Sequence, residues 1–345
     1  MAVARSEEPS LRRASLGWRV AGALLRRREA SIFAVAVGLT IFFGIRNSAF
    51  VSSDNVKNIT ESMAPFALVA AGEVMLLICG QIDLAVGRVY ALAPAVVWLI
   101  SSPDKYDLPI WFGVVVALLA SAAVGLVNGA VTTFLRVPSF ITTLAMLYLL
   151  NGITLHATDG SQQFMPGGET FQKIFGSQPD LYSLYLNSEF FWALGIVLAL
   201  QFVLSYTRWG LHTIATGGNA IGAAESGINI RTITIGNFVL ANLLAGFAGI
   251  LDSTRITTIV PLQGGPELMF LAIAGAVIGG TSLFGGVGTV IGSFIGVAVL
   301  LILQTGFNIL GFNAFTFPII IGFAILISMV ATVQFARLRN LGRLQ

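Results

Sequence analysis

The apolar residues of this chain gather into about ten blocks, parted by short polar or glycine-rich stretches. Crossing a hydrocarbon core about 30 Å thick takes ~20 mostly apolar residues in one helix. Ile32–Ile45, Ala64–Cys79, Val89–Ile100, Ile110–Leu135 and Phe315–Val333 reach or approach that length. The pattern predicts an all-α integral membrane protein with ten transmembrane helices, at about 30–46, 59–80, 86–101, 110–135, 138–157, 189–206, 232–252, 267–281, 287–305 and 314–334. Function is then expected in a pathway or cavity between helices, with membrane lipid as the solvent around them.

Composition sharpens this picture. Charged residues make up 10% of the 345, apolar residues 56%, and the mean hydropathy is +0.86. Soluble domains carry about 25% charged residues. The 38 glycines suit helices that pack closely or are locally broken. The lone cysteine, Cys79, lies inside an apolar block and reads as a small buried hydrophobe.

A pI near 9.2 raises the question of a nucleic-acid partner, but the placement of charge argues against one. Seven arginines precede residue 30, and Arg337, Arg339 and Arg343 close the chain. An even number of spans puts both ends on one side, and the loops on that side then hold fourteen of the nineteen Lys and Arg. The other five are Arg46, Lys57, Lys105, Lys173 and Arg255. The bias predicts a cytoplasmic location for both termini. Met1–Glu29 reads as a cytoplasmic arm rather than a cleaved signal, with Leu16–Leu25 and its Trp18 suited to the interface. Residues 30–334 form the membrane domain and 335–345 a cytoplasmic tail. The outward loops are acidic, and the longest, Thr158–Ser188, carries Pro166-Gly167-Gly168. A loop of that length is usually functional or disordered.

Four stretches carry candidate chemistry. Gly80-Gln81-Ile82-Asp83-Leu84-Ala85-Val86-Gly87 brackets an aspartate with glycines where an unbroken helix is expected. It reads either as a broken-helix site beside a translocation path or as a tight turn with Asp83 capping the next helix. Glu73 sits within an apolar block, where a carboxylate is costly and usually faces the bundle interior. It is a substrate-path candidate together with Asp83, Asn128 and Asn151, the competing role being a paired structural carboxylate. Most in-span amides, Asn237 and Asn242 among them, serve more often as helix-to-helix hydrogen bonds worth ~0.6 kcal/mol each. The stretch 207–231 contains Gly217-Gly218-Asn219-Ala220 and then Ala223, Ala224, Glu225 and Gly227. Asn219 is placed to cap a short helix ending near Gly227, a docking knob for a soluble partner or a plain connector. Last, Gly279-Gly280-Thr281-Ser282-Leu283-Phe284-Gly285-Gly286, with Gly288, Gly292 and Gly296 after it, predicts a tight turn and close helix approach. This octet loosely echoes Gly80–Gly87.

Catalytic chemistry is missing from the pattern. None of the three lysines follows a glycine, so no phosphate-binding loop is present. His156 and His212 are the only histidines, too few for a metal cluster. No Gly-x-Ser-x-Gly elbow occurs.

Taken together, Gly80–Gly87, Gly125–Gly129 leading into Pro138–Leu144, Ala215–Ile230 and Gly279–Gly288 resemble the permease subunit of bacterial ABC importers of the ribose/xylose type, within the group that includes branched-chain amino acid permeases. The resemblance runs from about residue 50 to 334. It implies a type II-like importer permease with broken or re-entrant segments, embedded in the bacterial inner membrane. It further implies a second permease copy or close paralogue, a tandem-domain ATPase using ATP and Mg, and a periplasmic or lipid-tethered sugar-binding protein. The chain itself would bind no cofactor and catalyse no bond chemistry. Ala215–Ile230 matches the coupling helix that seats in the ATPase, so changes at Glu225 or Gly218 are expected to uncouple uptake. The departures are Gln81 and Ala85, where the group more often has Gly and Ser. Met269, Phe270 and Leu271 also stand where it often has Glu-Leu-Asp. The cargo implied is a monosaccharide or polyol. A branched-chain amino acid, a signalling furanose and a stand-alone secondary transporter using Glu73, Asp83 and Asp252 are the competing readings.

Overall fold

The computed structural model describes residues 28–176, 187–323, 325–327 and 330. The expected arm 1–29, except its last two residues, the tail 335–345 and residues 177–186 of the longest loop lie outside the described residues.

Among the described residues, apolar helices fall on each of the expected blocks, seven of them long enough to cross a membrane and three shorter. Helices α1 (Arg28–Arg46), α2 (Ser53–Ile78), α4 (Ile110–Phe134), α5 (Ser139–Ala157), α7 (Ser188–Tyr206), α10 (Ile230–Arg255) and α12 (Val290–Ile309) are long and apolar enough to cross a membrane. Helices α3 (Val86–Ser101), α11 (Gly265–Ile278) and α13 (Phe317–Ile327) are apolar but shorter. Between them lie α6 (Glu169–Phe175), α8 (Arg208–Gly218) and α9 (Ala220–Glu225). Strands β1 (Gln163–Phe164) and β2 (Thr258–Ile259) pair antiparallel.

Burial sorts the helices into a centre and a rim. In α2, 83% of the most apolar window is buried, and every residue from Met63 to Ile78 except Phe66 is covered. In α1 the figure is 11%, so α1 offers Phe33, Val35, Ile41 and Phe42 to lipid. Helix α10 packs against α4, α2 and α3, and these elements supply most of the core. Small residues permit the close approach. Gly72 of α2 faces Ala241 of α10, and Gly125 and Gly129 of α4 face Phe238 and Ile235. With no hydrophobic force between helices in lipid, such contacts and interhelical hydrogen bonds hold the bundle together.

Helix α2 starts earlier than the apolar block, because Ser52 accepts a hydrogen bond from the Asn55 backbone (3.4 Å) and α-helix runs on through Asp54, Lys57 and Glu61. Asn229 and Thr289 cap α10 and α12 in the same way. A long helix, a break and a short helix occur twice: α2 (26 residues), 79–85 and α3 (16 residues), then α10 (26 residues), 256–264 and α11 (14 residues). The described part of the longest loop is ordered. Phe171 and Phe175 of α6 pack on Trp111, Trp192 and Phe247, and β1 ties the loop to the break after α10.

Candidate functional site: the helix breaks and the 207–231 loop

The break after α2 begins with a defined C-cap. Gly80 takes φ +76°, its N–H bonds Leu77 O (2.9 Å), and the Gln81 N–H bonds Leu76 O (2.9 Å). This pair of bonds with a left-handed glycine is a Schellman cap, in which a residue bearing a Cβ would be strained. The end of α11 repeats it: Gly280 takes φ +88°, and the Gly280 and Thr281 N–H groups bond Val277 O and Ala276 O (both 2.9 Å). The echo between the two glycine octets is therefore structural.

Asp83 is fully buried. Its Oδ1 accepts from the Ala85 backbone N–H (2.8 Å), holding the residue that precedes α3; Ala85 is the N-cap of that helix and no side chain caps it. Asn128 Nδ2 of α4 reaches both carboxylate oxygens (3.4 and 3.2 Å), and Asn242 Nδ2 of α10 donates to Oδ2 (2.7 Å). Glu73 is equally buried, and neither of its oxygens has a hydrogen-bond partner. Two of the four substrate-path candidates, Asp83 and Asn128, are thus in direct contact. Asn151 does not join them; it lies on α5, half-buried, with its Oδ1 unpartnered.

The glycines of the 207–231 stretch have unequal surroundings. A Cβ on Gly217 would lie 1.7 Å from Ile78 O, at the end of α2, and 2.9 Å from Gly286 N. The Gly286 N–H itself donates to Ile78 O (2.8 Å), and Gly285 stacks on the Gly217 carbonyl. Gly217, the end of α2 and Gly285-Gly286 therefore meet at a single junction. Gly218 has room, its nearest neighbour being Gly286 Cα at 3.8 Å from an added Cβ. A Cβ on Gly286 would in turn lie 2.8 Å from Gly218 Cα, so both glycines border the junction, with Gly217 the more tightly enclosed. Asn219 accepts from the Gly222 N–H (3.1 Å) and caps α9, which closes at Gly227 (φ +83°). On α9, Ala223 is buried while Ile221, Ala224 and Glu225 are exposed. Trp209 of α8 donates to Asn237 Oδ1 (2.9 Å), and Asn237 Nδ2 reaches Thr213 and Cys79, fastening this end of the bundle.

The first turns of the two short helices touch. A Cβ on Gly87 would lie 2.0 Å from Gly265 O, and Arg88 donates to Leu262 O (3.1 Å). Half-helix N-termini meeting inside a bundle carry the positive ends of their dipoles to one place. Behind them, Gly275 of α11 and its C-cap Gly279 press on Gly296 and Gly292 of α12.

A network at the opposite end of the bundle from α8 escaped the sequence reading, except for Asp252. Arg255 pairs with Asp252 (2.5 Å), Glu189 (3.3 Å) and Glu61 (3.6 Å). Asp252 Oδ2 also accepts from Tyr90 (2.5 Å) and Gln263 (2.6 Å). The network joins α2, α3, α7, α10 and the 256–264 break. It borders a cleft of about 350 Å³ lined by Glu169, Gln172, Lys173, Gly176, Thr254, Arg255 and Thr257. The available signal was charge at the ends of three apolar blocks.

Comparison with known proteins accords with this architecture. Residues 55–329 match the family described as branched-chain amino acid transport system / permease component. The xylose/arabinose import permease XylH of Sulfolobus acidocaldarius is 36% identical over 89% of this chain and 85% of its own length. The ribose import permease RbsC of Escherichia coli K12 is 35% identical over 81% and 86%. The autoinducer 2 import system permease LsrC of Photorhabdus luminescens is 31% identical over 88% and 89%. No solved structure matches. With most of its helices inside the matched region and relatives above 30% identity along nearly their whole length, the chain belongs to the branched-chain amino acid transport system permease family of integral membrane transport proteins.

Proposed function

We propose that this chain is the membrane-spanning permease subunit of an ATP-driven importer that moves a monosaccharide, a pentose or hexose such as ribose or xylose, or a polyol, by alternating access across the bacterial cytoplasmic membrane. Family membership and the sugar-import names of the relatives support the reading. So does the scarcity of cationic side chains within the spans, which suits neutral, hydroxyl-rich cargo better than a zwitterion.

The observation that carries it is the junction of Gly217 with Ile78 and Gly286. Two short helices, α8 and α9, offer Ile221, Ala224 and Glu225 to a partner at one end. At the other they abut the ends of α2 and of the turn between α11 and α12. A push on α9 is transmitted as displacement of two helix breaks, because packed backbone contacts of this kind shift as units. In this reading residues 207–231 and both termini face the cytoplasm, in accord with the Lys/Arg distribution. A tandem-domain ATPase binds there and uses ATP and Mg. A second copy of the chain or a close paralogue completes the pathway, and an external sugar-binding protein delivers cargo. The permease performs no bond chemistry.

The test is uptake by the reconstituted assembly. Proteoliposomes holding the permease, its ATPase and its binding protein are expected to accumulate labelled ribose or xylose only with internal ATP. Ion-driven uptake by the permease alone, or accumulation of leucine in preference to sugars, overturns the proposal.

A further inference from the structure

Helices α3 and α11 begin inside the bundle, and the first turn of each carries a charged side chain. Arg88 is the third residue of α3 and Glu267 the third of α11. Their depth follows from what α3 and the break before it touch on α10. Asp83 bonds Asn242, and a Cβ on Gly249 would lie 1.9 Å from Tyr90 O. Asn242 and Gly249 stand roughly 20 Å and 9 Å before Arg255 along α10, at about 1.5 Å per residue. Arg88 lies between those two levels. A Cβ on Gly265 would be 3.2 Å from both Arg88 Cζ and Nη2, which brings the first turn of α11, with Glu267, to the same depth.

Neither charge is paired there. Among the described residues the ion pairs join Lys57, Lys173 and Arg255 to Glu61, Glu169, Glu189 and Asp252, and none involves Arg88 or Glu267. Arg88 gives one donor to Leu262 O (3.1 Å) and lies against the Gly265 backbone, which takes φ +55°. Its Nε is enclosed and has no partner. Arg88 is half-buried and Glu267 exposed. Phe270, three residues after Glu267 and so on the same side of α11, is 59% exposed, and Leu262 is 54% exposed. Lipid covers an open Phe or Leu without loss. Charged side chains within a span face the bundle interior or a water-filled cavity instead. A face carrying both Arg88 and Glu267 is therefore one that water reaches.

We propose that Arg88, Glu267 and Phe270 line the route of the sugar and touch it as it passes, an assignment that rests on the importer reading. A monosaccharide offers hydroxyls around its rim and C–H groups on the faces of its ring. The guanidinium donates to hydroxyl oxygens, the carboxylate accepts from hydroxyl hydrogens, and the Phe270 ring covers a C–H face. A few polar groups among apolar ones is how small-molecule sites fix orientation. Arg88 follows directly on the 79–85 break, so displacement of Ile78 by the push from Gly217 shifts the guanidinium relative to Glu267.

Thiol labelling of the full-length permease in lipid nanodiscs, which are open on both sides, tests whether the face is wet; the native Cys79 is buried. A charged, membrane-impermeant methanethiosulfonate is expected to modify Glu267→Cys and Phe270→Cys about tenfold or more faster than Phe33→Cys on α1, because a thiol in lipid does not ionise to the reactive thiolate. Rates equal to that of Phe33→Cys overturn the proposal, since lipid or a second copy then covers the face. Contact with the sugar is read in proteoliposomes holding the ATPase and the binding protein. Arg88→Gln is expected to lower uptake of ribose or xylose about tenfold or more, through loss of a charged donor, with Arg88→Lys between it and the wild type. Discrimination against deoxy analogues of the sugar should shrink in Arg88→Gln. Wild-type uptake, or reduced uptake with unchanged discrimination, overturns the contact with Arg88. The labelling needs no transport, so failure of the importer reading and failure of this one are distinguishable.

Discussion

Replacing Gly217 with alanine adds one methyl group at the place where three chain segments meet. The new Cβ would stand 1.7 Å from Ile78 O and 2.8 Å from its carbonyl carbon. A carbon approaches a carbonyl oxygen comfortably only at about 3.3 Å, so the two backbones must part by roughly 1.6 Å. Both colliding atoms are main-chain, so no side-chain rotamer change relieves the clash. The separation also threatens the Gly286 N–H to Ile78 O bond (2.8 Å). Overpacking costs about 1–3 kcal/mol and a lost hydrogen bond about 1 kcal/mol, giving about 2–4 kcal/mol against the seated arrangement. At 1.4 kcal/mol per tenfold, its population relative to the unseated one falls at least ~30-fold. In proteoliposomes with the ATPase and binding protein, Gly217→Ala is expected to insert and bind the ATPase normally. ATP-driven uptake should fall tenfold or more while basal ATP hydrolysis persists. Gly218→Ala is the control, since its Cβ meets only Gly286 Cα at 3.8 Å, an ordinary contact. Wild-type uptake by Gly217→Ala, or equal damage from both substitutions, refutes the reasoning.

Other substitutions test the remaining contacts. Arg255→Gln leaves the buried Glu189 without its cation (3.3 Å), so a loss of about 3–5 kcal/mol is expected. It would be read as a lowered melting temperature of the purified protein, and Glu189→Gln in the same chain should restore part of it. Asn242→Leu withdraws the 2.7 Å donor from Asp83 and is expected to cost about 1–3 kcal/mol; hydrogen exchange at Leu84–Gly87 should rise, and unchanged protection would count against Asp83 as the hold on the residue before α3. Phe175→Ala empties a site closed by Phe171, Trp192 and Phe247, with about 3–5 kcal/mol lost. Protease cleavage near α6 should accelerate, and wild-type resistance would show that the loop is held elsewhere. Lys173→Gln, whose partner Glu169 is exposed, should change stability by less than the error of measurement.

Membrane helices are legible in a sequence because their signal is local. Each span needs its own run of apolar residues, and nothing distant is required to see Ile110–Phe134. Glu73 was legible for the same reason, a charge inside an apolar run. Asp83 is legible as an interruption, but its side-chain donors Asn128 and Asn242 lie 45 and 159 residues away and carry no local signal. Gly217 and Gly218 are neighbours of one residue type, and only the position of Ile78 tells them apart. The Arg255 network has no local signal, because its partners Glu61 and Glu189 lie on α2 and α7 and each reads as an ordinary charge near the edge of an apolar block. Apolar content alone marks the start of α2 too late, because Ser52 caps the helix before its polar first turns.

The central claim is that residues 207–231 face the cytoplasm and receive the ATPase. Ser226, exposed at the end of α9, is the position to probe, and the only native thiol, Cys79, is buried. A membrane-impermeant maleimide should leave Ser226→Cys unlabelled in intact cells and label it in inside-out vesicles, with protection when the ATPase is bound. Labelling of Ser226→Cys from outside intact cells would contradict the account.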